Sequence, residues 1–187
     1  CRMFLENFDI VYEYANYLHA TTDFKKADEY YQKAIELDPH HTDALAFSAL
    51  NKIQLKDFDK AYEQIQHALH HETNNDFMYF IAGKIRYLQG EIEDAKMYFV
   101  KSYELQKTYD CEHMLGLCYF ELGNFEQANG IFKHMLEKNP LNVNLLLNSA
   151  KCYEKLGEKD EALRVLDKIT DTFPECEEAQ EMIREIS

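Results

Sequence analysis

Histidine is the residue type in this chain best placed to do chemistry: His67, His70 and His71 lie in QHALHHE, with His40 and His41 one loop earlier. Imidazoles one helical turn apart face the same way, so this set is the candidate for metal ligation. Its spacing matches no zinc signature, and histidines in a last helical turn are favoured by the carbonyl end of the helix dipole. No metal site is therefore expected. Cysteine comes second. Five cysteines are an odd number for a disulfide framework, and Cys111, Cys118 and Cys152 recur at spacings that bury thiols as small apolar groups. Reduced thiols suit a reducing compartment, so a cytoplasmic location is expected. Among 34 Asp and Glu, carboxylate pairs are easy to find. With no Ser-His-Asp set, Gly-rich phosphate loop or Cys-His pair on a rigid turn, no catalytic residue, no cofactor and no enzymatic activity are expected.

Charge narrows the partners. With 20 Lys and Arg against the 34 acids, the net charge is -14, which argues against nucleic acid and against docking on an anionic membrane. A solvated acidic outer face accounts for the excess. No run approaches the ~18 apolar residues of a membrane span, so no membrane insertion is expected. A protein or peptide partner is what remains.

The elements that would present such a surface are written periodically. Ala27, Ala61, Ala95, Ala128 and Ala162 recur at spacings of 34, 34, 33 and 34 residues. A period of this length means stacked helical hairpins. With that alanine counted as column 20, repeats run 8–41, 42–75, 76–108, 109–142 and 143–176. The three prolines, Pro39, Pro140 and Pro174, share column 32, where they close a second helix. Gly90, Gly123 and Gly157 share column 15, where a first helix must stop. Gly83 and Gly116 share column 8 with Ala15, Ala49 and Ala150, so two helices must approach closely there.

These columns resemble the tetratricopeptide repeat family, whose pattern of a large residue, Leu-Gly and Tyr, then Ala, an aromatic and Pro spans about 34 residues. The fourth repeat matches best, through Leu115, Gly116, Tyr119, Gly123, Phe125, Ala128, Phe132 and Pro140. The first carries FKKADEYYQKAIELDP. Departures are Tyr14 and Ala15 for Leu-Gly, Lys52 for Tyr and Thr73 for Pro in the second repeat, and Arg86 and Lys107 at those columns in the third. The resemblance implies an all-α fold, a right-handed superhelical solenoid of antiparallel helix hairpins, forming one domain over 1–187. A capping helix is expected over 175–187, with Ala179, Met182, Ile183 and Ile186 inward. Residues 1–7, CRMFLEN, sit where a preceding second helix would finish, so a piece of a longer chain is expected in preference to a lipid-bearing Cys1.

In that family, columns 2, 5, 9 and 12 of each first helix line a groove. Carried over, they place Tyr12 and Asn16, Leu50 and Ile53, then Phe77, Phe80, Lys84 and Tyr87 in the first three repeats. The last two supply His113, Leu117 and Phe120, then Leu147 and Lys151. The middle of the groove reads as apolar, and Leu50, Phe80, Leu117 and Leu147 are costly as free surface, which suits capture of a hydrophobic or amphipathic segment. Ile53, Tyr87 and Phe120 at column 12 are weaker candidates, because that column packs between first helices. The clamp with which related co-chaperones hold acidic chaperone tails is absent, since of its Lys, Asn and Arg only Asn16 has a counterpart. The expected function is a protein-interaction scaffold. Four other readings stay open: a recruiting region of a larger enzyme, a lipid-anchored envelope assembly factor, a metal-dependent role, and a self-associating module forming a homo-oligomer.

Overall fold

Each first helix of a repeat begins on a side chain that accepts a backbone N–H three residues on. Asn7, His41, Asn75, Thr108 and Asn142 accept from Ile10, Ala44, Met78, Cys111 and Leu145. Such caps satisfy donors that a helix start leaves orphaned, and the Asn and Thr caps contribute ~1 kcal/mol each. The computed structural model describes residues 7–186, and among them it holds eleven helices and no strand. The expectations placed on Cys1 and its neighbours, and on Ser187, lie outside the described residues.

The helices form two compact units, the first ending at Gln106 and the second starting at Lys107. The first unit pairs α1 (Phe8–Ala20) with α2 (Phe24–Leu37), α3 (Thr42–Gln54) with α4 (Phe58–His71), and α5 (Asp76–Gln89) with α6 (Ile92–Leu105). The second pairs α7 (Tyr109–Glu121) with α8 (Phe125–Lys138) and α9 (Val143–Lys155) with α10 (Lys159–Thr172), followed by α11 (Glu177–Ile186). Within each unit a second helix packs on the next first helix, as α2 does on α3 and α8 on α9. The expected capping helix is α11, which buries Ala179, Met182 and Ile186 and leaves Ile183 half-buried.

The hairpins close on a repeated pair of columns. All five column-20 alanines are fully buried, as are Tyr31, Ile65, Phe99, Phe132 and Leu166 at column 24. Column 24 faces column 8, and this explains the small residue there. A Cβ on Gly83 would lie 2.8 Å from ring carbons of Phe99, and one on Gly116 would lie 2.6 Å from Phe132. Glycine thus stands where the facing residue is Phe, and alanine where it is Ile65, Leu166 or Tyr31. The last of these is anchored by its hydroxyl, which donates to Asn16 at 2.8 Å. Burial pushes the Tyr31 phenol beyond the range of ordinary titration.

Column 15 is left-handed in every repeat. Gly90, Gly123 and Gly157 have φ of 84°, 76° and 77°, and Thr22 and Lys56 adopt 64° and 60° at the same column. The turn between helices demands this conformation whether or not the residue is glycine. The motif departures at column 11 are also absorbed locally. Lys52, only 5% exposed, puts its Nζ 2.7 Å from the Asp28 carboxylate of α2. Arg86 lays its guanidinium 3.8 Å over the Tyr62 ring of α4 and approaches Asp94 at 3.6 Å. A cation replaces tyrosine only where a neighbouring helix supplies its counterpart.

Candidate partner-binding face

In the first unit, the first helices carry a row of rings. Phe8 stacks on Tyr12 at 5.5 Å, Tyr12 meets Phe47 edge-on at 6.3 Å, and Phe47 meets Phe77 at 5.7 Å. The row crosses α1, α3 and α5. His41, whose Nδ1 caps α3, closes one end of it with its ring 4.4 Å from Phe8 and 5.6 Å from Tyr12. Phe77 is 37% exposed, while Tyr12 and Phe47 are half-buried. Burial raises the Tyr12 phenol above its usual value, the Asn16 side chain opposes this, and the carboxylates of Asp43 and Glu13 add to it. The phenol is therefore a neutral hydrogen-bonding group beside apolar rings, with acid at its edge. Phe8, Tyr12 and Phe47 are each held between two ring neighbours, so most of the row is ordered before any partner arrives.

The other candidates of this unit divide. Asn16 is occupied by the Tyr31 hydroxyl. Leu50 is half-buried against the core of the second and third hairpins, and Phe80 turns its ring to 5.6 Å from Phe99. Lys84 and Tyr87 are half-buried on α5. Ile53 is a correction: only 7% exposed, it belongs to the core, because column 12 fills the space between neighbouring first helices.

In the second unit, His113, Leu117, Leu147 and Lys151 come together around a cleft of about 280 Å³, joined by Asn144, Asn148 and Glu178. Burial lowers the His113 pKa, opposed by Asp110, so a neutral ring faces the Asn148 amide at 3.4 Å. Lys151 is not an isolated charge, for its Nζ lies 2.6 Å from Glu178 of α11. Phe120 packs edge-on against Phe125 at 5.2 Å. Leu147 is the second correction. Placed in the groove by its column, it is only 5% exposed, packed in a cluster with Met182 and Ile186 of the capping helix.

Phe47 and Phe8 escaped the sequence reading because they stand at columns 6 and 1, outside the carried-over set. The signal was present in the register: Phe47 and Phe77 lie one helical turn apart on adjacent first helices, so a stagger between helices brings them level.

Models of the tetratricopeptide repeat match residues 119–186 and 8–41. The BBSome complex member BBS4 of Bos taurus is 30% identical over 140 residues, covering 74% of this chain and 27% of that protein. Mitochondrial import receptor subunit TOM70 of Rattus norvegicus is 36% identical over 110 residues, covering 56% and 18%. The chain thus spans only a minor part of either relative. The crystal structure of YrrB, described as a tetratricopeptide protein with an unusual peptide-binding site, matches with a TM-score of 0.83 at 21% identity, over 96% of this chain and 93% of that one. No helix among the described residues is long and apolar enough to cross a membrane.

Proposed function

The chain belongs to the tetratricopeptide repeat family, a protein-interaction scaffold, and from that premise we propose that it captures an apolar or amphipathic segment of a partner protein on the first-helix face of its first unit. The observation that carries this reading is the ring row Phe8, Tyr12, Phe47 and Phe77, which offers stacked aromatic surface with one member open to solvent. Aromatic anchors in packed settings are where binding energy concentrates. Asp9 and Asp43 stand exposed at column 2 beside the row, so the segment best suited to it carries a basic residue next to its apolar anchors. The cleft around His113 and Leu117 is a second contact surface for the same class of ligand. The role is noncatalytic, and a cytoplasmic setting fits the burial of Cys111, Cys118 and Cys152 as small apolar groups in the core. The peptide-binding description attached to YrrB supports the same class of ligand.

Selection of displayed random peptides on the chain tests the proposal. Enriched sequences should carry aromatic or aliphatic anchors beside Lys or Arg, and their binding should fall ~10-fold or more in Phe77→Ala and Phe47→Ala variants that remain helical. Binding unchanged in both variants would remove the first unit as the site.

A second reading rests on α1. Ile10, Tyr14 and Tyr17 are 44%, 36% and 62% exposed, whereas α3 and α5 bury the same columns through Ala44, Ser48 and Asn51 and through Met78, Ala82 and Ile85. An apolar face exposed among the described residues in this way suits self-association. A concentration-dependent mass by light scattering that disappears in Tyr17→Asp supports this reading; a constant monomer mass removes it.

A further inference from the structure

We propose that His40, His67 and His71 form a binding site for a first-row divalent transition cation of the zinc and copper class. The fold brings these three exposed residues together, with one ring nitrogen from each lying within 4.8 Å of the other two. His67 and His71 stand one turn apart on α4, and His40 reaches them from the loop between α2 and α3. All three belong to the histidine set the sequence singled out, and the cluster matches no linear zinc signature because the third ligand belongs to the preceding hairpin.

The distances suit tetrahedral ligation. Nitrogens bound at ~2.05 Å to one ion stand about 3.3 Å apart along a tetrahedral edge. The Nε2 atoms of His67 and His71 are already 3.2 Å apart. The remaining separations, at most 4.8 Å, close with small rotations of exposed side chains. The rings of His40 and His71 lie 4.5 Å apart and those of His40 and His67 5.9 Å apart, so the third imidazole is already beside the pair. Three imidazole ligands select the zinc and copper class over magnesium or calcium, which take oxygen ligands. The ion would tie the loop after α2 to the last turn of α4, leaving further positions for water or a partner side chain.

Zn2+ titration of the tag-free, metal-stripped chain by calorimetry, with thiols held reduced by a non-coordinating phosphine, tests the site. We expect one saturable equivalent. His40→Gln, His67→Gln and His71→Gln should each weaken it at least ~10-fold, since even loss of an outer-shell partner costs that much. His134→Gln, whose ring bonds Glu112 elsewhere, should leave affinity within ~2-fold, well below that threshold. Helicity of every variant is checked by circular dichroism. Absence of saturable binding, undiminished affinity in any of the three cluster variants, or a Co2+ spectrum dominated by thiolate charge transfer would each overturn the proposal.

Discussion

Alanine at Gly83 and alanine at Gly130 should move stability in opposite directions. Both glycines lie inside helices, α5 and α8, with ordinary helical φ, so each substitution gains up to ~1 kcal/mol of helix propensity. At Gly130 a Cβ meets nothing within 4 Å, and that gain is the whole effect. At Gly83 the Cβ lands 2.8 Å from two carbons of Phe99. Ordinary carbon contacts are ~3.5–4.0 Å, so the ring must retreat by roughly 0.7–1.2 Å. Phe99 is fully buried and packs beside Phe80, so the retreat displaces neighbours, and overpacking of this kind costs ~1–3 kcal/mol. The net expectation for Gly83→Ala is a loss of about 1 kcal/mol, against a gain of similar size for Gly130→Ala. Phe99→Leu recreates the pairing of hairpins that hold Ala49 with Ile65 and Ala150 with Leu166. The Gly83→Ala, Phe99→Leu double variant should therefore lose less than the sum of its singles by ~1–2 kcal/mol. Urea denaturation followed by far-ultraviolet circular dichroism measures all of these. If Gly83→Ala stabilised like Gly130→Ala, or if the double variant equalled the sum of its singles within ~0.5 kcal/mol, the close-approach account of column 8 would be refuted.

Asp28→Asn should cost about 2–4 kcal/mol, because it strands the buried Lys52 ammonium, whereas Lys52→Met with Asp28→Asn should recover most of that loss; chemical denaturation of the single and double variants checks both. Thr22→Gly should stabilise by ~0.5–1 kcal/mol, the left-handed strain of a β-branched residue exceeding the added unfolded-state entropy of glycine, and a rise in the urea midpoint reports it. Asn75→Ala should cost ~1 kcal/mol through loss of the α5 cap, with amide exchange accelerated first at Met78, whose N–H the side chain holds.

What the sequence by itself determined is the set of demands that a helical hairpin makes of single positions. A left-handed turn at column 15, a helix stop at column 32 and a close approach at column 8 are backbone requirements. Gly, Pro and Ala answer them in register, so the all-α repeat fold was legible before any coordinate. Even the violations, Thr22 and Lys56, keep the conformation their column predicts. Exposure was a different matter. Whether Leu147 is surface or core depends on α11 packing over it, and whether Lys52 is tolerable depends on Asp28 from another helix. The ring row through Phe47 and the imidazole cluster through His40 both join residues from different hairpins. Such juxtapositions follow from the stagger between neighbouring helices, which no single helix encodes; only the tertiary structure decided which side chains share a face.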